Sequence, residues 1–298
     1  MRLHSPLGEA VRGFARDVLQ EGESALTRTD GGDAAVVHDF RKAMKRWRAL
    51  LRLLEPLLGA EARELRVVAR DLARDLAAAR DGQSALDGLT DLRKTEHPLS
   101  ERTWGSIRAR LDQARQAAET TTLTRQMRER MRATLADASQ ALAAWPFEDL
   151  TFRRLADGLT TAYRRARRAI PAKWDQATDE ELHTLRQRVV VHRYQMQVVE
   201  SLWPRLGRVW VAEAQRLRDR LGSYQDLVVL TQMTAAHQPL APWRSRLTPL
   251  IRARQAVHVE AATLLAARLF AERPRAFRTR QEALWESQAA EPSGESDD

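Results

Sequence analysis

Basic side chains recur at helical spacing over residues 38–52 of this sequence. At about 100° per residue they fall on one face of a helix, along roughly 21 Å. The members of this face are His38, Arg41, Lys42, Lys45, Arg48 and Arg52. Arg donates paired hydrogen bonds to phosphate oxygens, Lys acts as a point charge, and His gains charge below neutral pH. The face therefore predicts binding of a linear anion built from phosphates.

This basic face carries an energetic cost. Like charges at the neighbouring positions 41–45, 42–45, 45–48 and 48–52 each disfavour the helix by about 0.2–0.5 kcal/mol. The sum, roughly 1–2 kcal/mol, is hard to explain by folding alone. Acids on adjacent helices could neutralise it, however, and a basic stripe is often only a solvated face. Both interpretations stay open at this point.

The pattern returns at a constant offset of 145 residues. The repeated pairs are His38 and His183, Arg41 and Arg186, and Arg48 and Arg193. Apolar and acidic positions match in the same register, which predicts duplication of a four-helix unit. Lys42, Lys45 and Arg52 have the uncharged counterparts Gln187, Val190 and Gln197, so the second face should be weaker.

The helix that precedes each basic face adds arginines at i, i+4 spacing, which places them on a shared face. These residues are Arg12 and Arg16 in the first half and Arg164 and Arg168 in the second, with Arg165 and Arg167 beside them. We expect the two pairs to extend the basic surface. His192 projects on the apolar side of its helix, which favours a hydrogen-bonded core residue over a ligand.

The elements that position these residues are helices. Apolar residues recur at helical spacing and strand-like alternation is absent, with only 13 Gly and 11 Pro in 298 residues. The predicted helices lie near 7–28, 34–56, 60–86, 101–143, 148–170, 179–204, 206–236 and 243–287, with a possible break at Thr120–Thr122. The sequence predicts an all-α fold of two four-helix bundles, residues 1–146 and 147–290, related by a pseudo-two-fold axis. Residues 291–298 are expected to form a disordered acidic tail.

Composition narrows the class of protein. The formal charge is +9, which makes an anionic partner plausible, although charge alone does not separate nucleic acid, acidic membrane and plain solubility. The absence of Cys excludes disulfides, thiolate metal sites and a Cys nucleophile. No apolar run reaches the roughly 18 residues of a membrane span. We expect a cytoplasmic protein that does not engage membranes.

Catalytic constellations are missing from the sequence. It has no phosphate-cradling Gly-rich loop, no His-Glu-x-x-His helix and no pair of histidines at i, i+4. We expect no enzyme activity, no metal site and no cofactor, although divalent cations could accompany a phosphate ligand. Nucleic acid remains a competing partner because its affinity can be wholly electrostatic.

The basic faces resemble the signature of the CHAD family, a conserved-histidine α-helical domain. The first matches His-x-x-Arg-x-x-x-Lys-Arg-x-Arg through His38, Arg41, Lys45, Arg46 and Arg48. The second half matches through His183, Arg186, Arg193 and Tyr194, and the segment 221–226 is similar to the family's Leu-Gly-x-x-x-Asp turn.

This resemblance implies two bundles around a basic groove that binds inorganic polyphosphate, and association with polyphosphate granules in bacterial or archaeal cytoplasm. By the family pattern, the polyphosphate contacts would be His38, Arg41, Lys45, Arg48, His183, Arg186 and Arg193. Val190 and Val191 stand where the family usually has Lys and Arg, so we expect the first half to bind more strongly. An accessory or regulatory protein for a phosphate- or nucleotide-processing enzyme is the alternative. The Glu-x-Glu-x-Lys strand of the enzyme domain often fused to this family does not occur.

Overall fold

The fold is described from a computed structural model that covers residues 7–28, 32–76, 78–95, 99–119, 123–200 and 203–289, leaving aside the side chains of 78–81, 118, 119 and 289. Every regular element in these ranges is a helix, which confirms the predicted all-α class. None of the helices described is long and apolar enough to cross a membrane.

Twelve α-helices make up the described part of the chain. They are α1 (Leu7–Thr27), α2 (Gly32–Leu53), α3 (Glu55–Leu58), α4 (Ala60–Asp75), α5 (Ala78–Leu92), α6 (Glu101–Glu119), α7 (Arg125–Ala144), α8 (Phe152–Arg168), α9 (Asp179–Val199), α10 (Pro204–Gln232), α11 (Arg244–Leu269) and α12 (Pro274–Ala289). Short 3-10 turns occupy Phe147–Asp149, Trp174–Gln176 and Ala241–Trp243.

Local sequence signals explain several helix ends. Thr178 accepts a hydrogen bond from the Glu181 backbone N–H while the Glu181 side chain accepts one from Thr178, so a capping box starts α9. Thr151 caps α8 through the backbone N–H of Arg154. Gly59 separates α3 from α4 with a φ of 60°, a left-handed value that favours glycine.

Three of the helices predicted from the sequence are each divided into two helices in the structure. The predicted helix 60–86 ends at Asp75, where Arg41 donates hydrogen bonds to the carbonyls of Ala73 and Leu76 at the helix end. The predicted helix 243–287 ends at Leu269, where Arg167 donates to the Phe270 carbonyl. Arginines from distant helices thus cap the ends of both α4 and α11.

The third divided helix is 101–143, which forms α6 and α7. The break predicted at Thr120–Thr122 lies outside the described residues, as does the predicted disordered tail 291–298. Helix α6 ends just before that segment and α7 begins shortly after it.

Helices α1, α2, α4 and α7 pack together, and α8 to α12 pack in a second group. The main apolar core runs through both groups and includes the fully buried Phe40, Leu159 and Leu185. The α5–α6 hairpin packs against α10 and α11, which come from the other half of the sequence, and has its own core around Ile107 and Leu230. The boundary at 146/147, the pseudo-symmetry and the duplication stay predictions.

A buried charge cluster fastens the hairpin to α11. Both carboxylate oxygens of Asp91 accept hydrogen bonds from Arg254, at 2.8 Å each. The His258 Nε2 atom lies 2.7 Å from the same carboxylate. Asp91 and His258 are both buried, so this ion pair fixes the hairpin in position.

The two groups meet along α2, α8 and α9. The side-chain amide of Gln195 on α9 donates to the Ala49 carbonyl of α2 over 3.0 Å, in a buried position. Helix α8 crosses the end of α2 at Gly158, where a Cβ would collide with the Leu53 carbonyl oxygen. Glycine therefore permits the close approach that brings arginines of α8 and α9 to the end of α2.

Candidate anion-binding site

The basic face of α2 divides into two ends with different environments. At its start, His38 and Lys42 are exposed and Lys45 is half-buried. Arg41 is half-buried, and its Nη1 donates to the Ala73 and Leu76 carbonyls at 3.0 and 2.6 Å. Arg41 therefore holds the end of α4 in addition to any contact it makes with a ligand.

The other end of this face lies in a strongly cationic environment. Burial, then repulsion from Arg70 and Arg66, lowers the pKa of Arg48, with Asp71 opposing the shift. The pKa of Arg52 falls from 12.5 to about 10, first through burial and then through repulsion from Arg66, Arg188, Arg48 and Arg165. Each of these guanidinium groups therefore lies within electrostatic range of Arg48 or Arg52.

We call this set the arginine cluster. Its members come from four helices and are Arg48 and Arg52 of α2, Arg66 and Arg70 of α4, Arg165 of α8, and Arg188 of α9. Arg52, Arg165 and Arg188 line one small cleft with Gly158 and Gln195. The cluster joins side chains from both halves of the sequence.

The arginines of the cluster differ in how they are paired. Arg66 donates to Glu55 at 2.6 Å, and Arg70 donates to Asp71 at 3.0 Å. Within the described ranges, no carboxylate forms an ion pair with the remaining four members, and the Nε of Arg48 is buried without a hydrogen-bond partner. The six arginines and their two carboxylate partners, Glu55 and Asp71, carry a net charge of +4, which suits a ligand with several negative charges.

The sequence patterns did not predict three of the six members of this cluster. Arg66, Arg70 and Arg188 were not among the predicted site residues, and Arg165 appeared only as a neighbour of Arg164 and Arg168. Arg66 and Arg70 share a face of α4 at i, i+4, which was an available signal. No such sequence signal marked Arg188, because it lies on the side of α9 away from the repeated residues.

Of the repeated residues of α9, Arg186 faces α10, and His183 and Arg193 contact side chains of α9 itself. Arg186 packs its guanidinium against Gly222 of α10, and Arg193 lies over the Tyr194 ring at 4.3 Å. His183 is half-buried, with its Nε2 2.7 Å from the side-chain nitrogen of Gln187. Helical geometry places Arg186 and Arg193 on the opposite side of α9 from Arg188. The structure therefore does not bring His183, Arg186 and Arg193 into the arginine cluster.

The other arginines predicted to contact the ligand also lie apart from the arginine cluster. Arg12 pairs with Glu9 at 3.0 Å and lies 5.0 Å over the Phe147 ring. Arg46 pairs with Glu21 and lies over Phe14. The remaining three are exposed, namely Arg16, Arg164 and Arg168. Both Arg12 and Arg46 thus have internal partners.

His192 is a core residue, as the sequence predicts. It is 3% exposed and its ring contacts those of Tyr163, Phe270 and Phe277. Burial, then repulsion from Arg280, lowers the pKa of His192 to about 3. The expected hydrogen bond is missing at one ring nitrogen, since Nδ1 has no partner in the described part of the chain.

Together these features define an all-α bundle protein with a cationic cluster at the junction of its two helix groups. The CHAD domain model matches residues 10–235, more than half of the sequence. The chain belongs to the CHAD domain family.

Solved structures support the fold assignment. PptA from Streptomyces chartreusis matches with a TM-score of 0.62 and 18% identity, over 90% of this chain and 100% of that one. The CHAD domain from the plant Ricinus communis matches with a TM-score of 0.59 and 17% identity, over 94% of this chain and 92% of that one. No curated protein matches the sequence. At these identities the structural likeness establishes the fold alone.

Proposed function

We propose that this protein binds inorganic polyphosphate across the arginine cluster. The observation that carries the proposal is the convergence of six arginines from four helices, four of them without an ion-pair partner in the described structure. Repulsion among these close, partly buried or exposed cations destabilises the folded protein, and an anionic ligand would relieve it. Membership of the CHAD family supports phosphate chains as that ligand, through the resemblance noted above.

The ligand path differs from the one expected along α2. The arginines that repel one another lie on several helices. They extend from Arg70 and Arg66 on α4, past Arg52 on α2, to Arg165 on α8 and Arg188 on α9. A flexible chain with one negative charge or more per unit can follow such a path, and Arg forks onto phosphate oxygens. His38 and Lys42, exposed on the same helix, would then extend the contact toward the start of α2.

In this proposal the protein acts as a binding module and not as an enzyme. We further propose that it works in the cytoplasm at polyphosphate granules, with divalent cations arriving only with the ligand. Within the described residues, no group of three or more His, Asp and Glu is arranged to hold a metal ion.

Competition binding tests the proposal. Labelled long-chain polyphosphate is titrated at near-physiological salt, with double-stranded DNA and tripolyphosphate as competitors. We expect tight binding that resists excess DNA. Equal competition by DNA would reduce the function to nonspecific electrostatic binding, which is strongly salt-dependent. Phosphate release from tripolyphosphate or ATP would instead favour the alternative linked to an enzyme.

A further inference from the structure

Two members of the arginine cluster are held by internal carboxylates. Glu55, the first residue of α3, accepts from Arg66 Nη1 at 2.6 Å and lies 3.4 Å from Arg63 Nε. Asp71 accepts from Arg70 at 3.0 Å and lies 3.3 Å from Arg74. Both pairs sit at the α4 side of the cluster.

These carboxylates occupy the donors that a phosphate would use. A carboxylate oxygen and a phosphate oxygen compete for the same guanidinium N–H groups. Arg66 and Arg70 share a face of α4, and α4 packs against α2, which carries Arg48 and Arg52. Both lie within electrostatic range of Arg48, so both are next to the arginines that lack an acidic partner. Arg66 is 19% exposed and Glu55 is 32% exposed, which leaves the pair reachable from solvent.

We propose that Glu55 and Asp71 are internal competitors of the anionic ligand, each withholding one member of the arginine cluster from it. This inference rests on the proposed function and adds a specificity element to it. To engage Arg66 or Arg70, a ligand must replace a carboxylate. An anion of high charge density accomplishes this exchange, whereas a weakly charged one contacts only the arginines that lack an acidic partner.

Neutralising Glu55 should strengthen binding. The variant Glu55→Gln leaves a neutral acceptor and releases Arg66 for the phosphate chain. Because a partly exposed ion pair contributes little, we expect about three- to tenfold higher affinity for long-chain polyphosphate at low salt. The slope of log affinity against log salt should steepen by about 0.7, as expected for one more phosphate contact.

The chain offers a matched control in Glu101→Gln. Glu101 is likewise the first residue of a helix, α6, and pairs with an arginine, Arg93, at 2.7 Å. Both variants remove one negative charge, so they change the net charge equally. Equal affinities of Glu55→Gln and Glu101→Gln would overturn the inference.

A double-mutant cycle tests whether Glu55 acts through Arg66. In an Arg66→Gln background, adding Glu55→Gln should raise affinity no more than Glu101→Gln does. A gain that persists without Arg66 would overturn the inference. If the melting temperature of Glu55→Gln is well below that of the wild type, Asp71→Asn with and without Arg70→Gln provides the same test at the second pair. Failure of the wild-type protein to bind polyphosphate at all would instead refute the proposed function.

Discussion

Arg52→Met should stabilise the protein while weakening its binding of polyphosphate. Burial and the repulsion from four neighbouring arginines lower the Arg52 pKa from 12.5 to about 10. At neutral pH that fall corresponds to about 3 kcal/mol of unfavourable free energy in the folded state. Screening by water at this partly exposed side chain reduces the figure, so we expect a net gain of roughly 1–2 kcal/mol. Met keeps the apolar packing of the side-chain stem.

Thermal and urea unfolding followed by circular dichroism measure this change. The melting temperature of Arg52→Met should rise by roughly 2–3 °C. Arg275→Met, a change at an exposed arginine of α12, serves as the control and should stay within about 0.5 kcal/mol of the wild type. In the same preparations, polyphosphate affinity should fall about tenfold for Arg52→Met only. A destabilised Arg52→Met protein beside an unchanged control would refute the reasoning that the cluster is strained by repulsion.

Three further predictions concern residues around the cluster and in the core. Gly158→Ala should cost about 1–3 kcal/mol in unfolding free energy and weaken polyphosphate binding, because its methyl group meets the Leu53 carbonyl and forces α8 away from α2. Arg41→Gln should lower stability by about 1–3 kcal/mol in urea titrations by depriving two carbonyls of their donor, whereas the exposed Lys42→Gln should not. His192 binds a proton below about pH 6.5 only when unfolded, since its folded pKa is about 3, so stability falls as the pH falls. Between pH 7 and pH 5 the wild type should lose about 2 kcal/mol more than His192→Leu; equal losses would contradict the assignment.

Sequence patterns predicted what depends on one helix at a time. Phe40, Met44 and Trp47 recur at helical spacing along one side of α2, and all three are buried. The basic face included Arg48 and Arg52, which lie in the cluster. Helical periodicity suffices for such inferences because neighbours at i, i+3 and i+4 share a face whatever packs against them.

What the sequence could not predict depends on contacts between helices. Arg66 and Arg70 lie among acidic residues of α4 and resemble a solvated face until α2 is packed beside them. Arg188 joins the cluster only because α9 crosses α2, fixed by the hydrogen bond from Gln195. The end of α4 is likewise capped by Arg41, which lies more than 30 residues earlier.

The central claim is that the arginine cluster binds polyphosphate, and calorimetric titration of Arg52→Gln combined with Arg188→Gln tests it most directly. The control combines Arg208→Gln with Arg275→Gln, which removes the same charge from exposed sites outside the cluster. We predict that the cluster variant keeps its helical circular dichroism and loses at least tenfold in affinity, while the control loses little. Equal losses in the two variants, or full affinity in the cluster variant, would contradict the account.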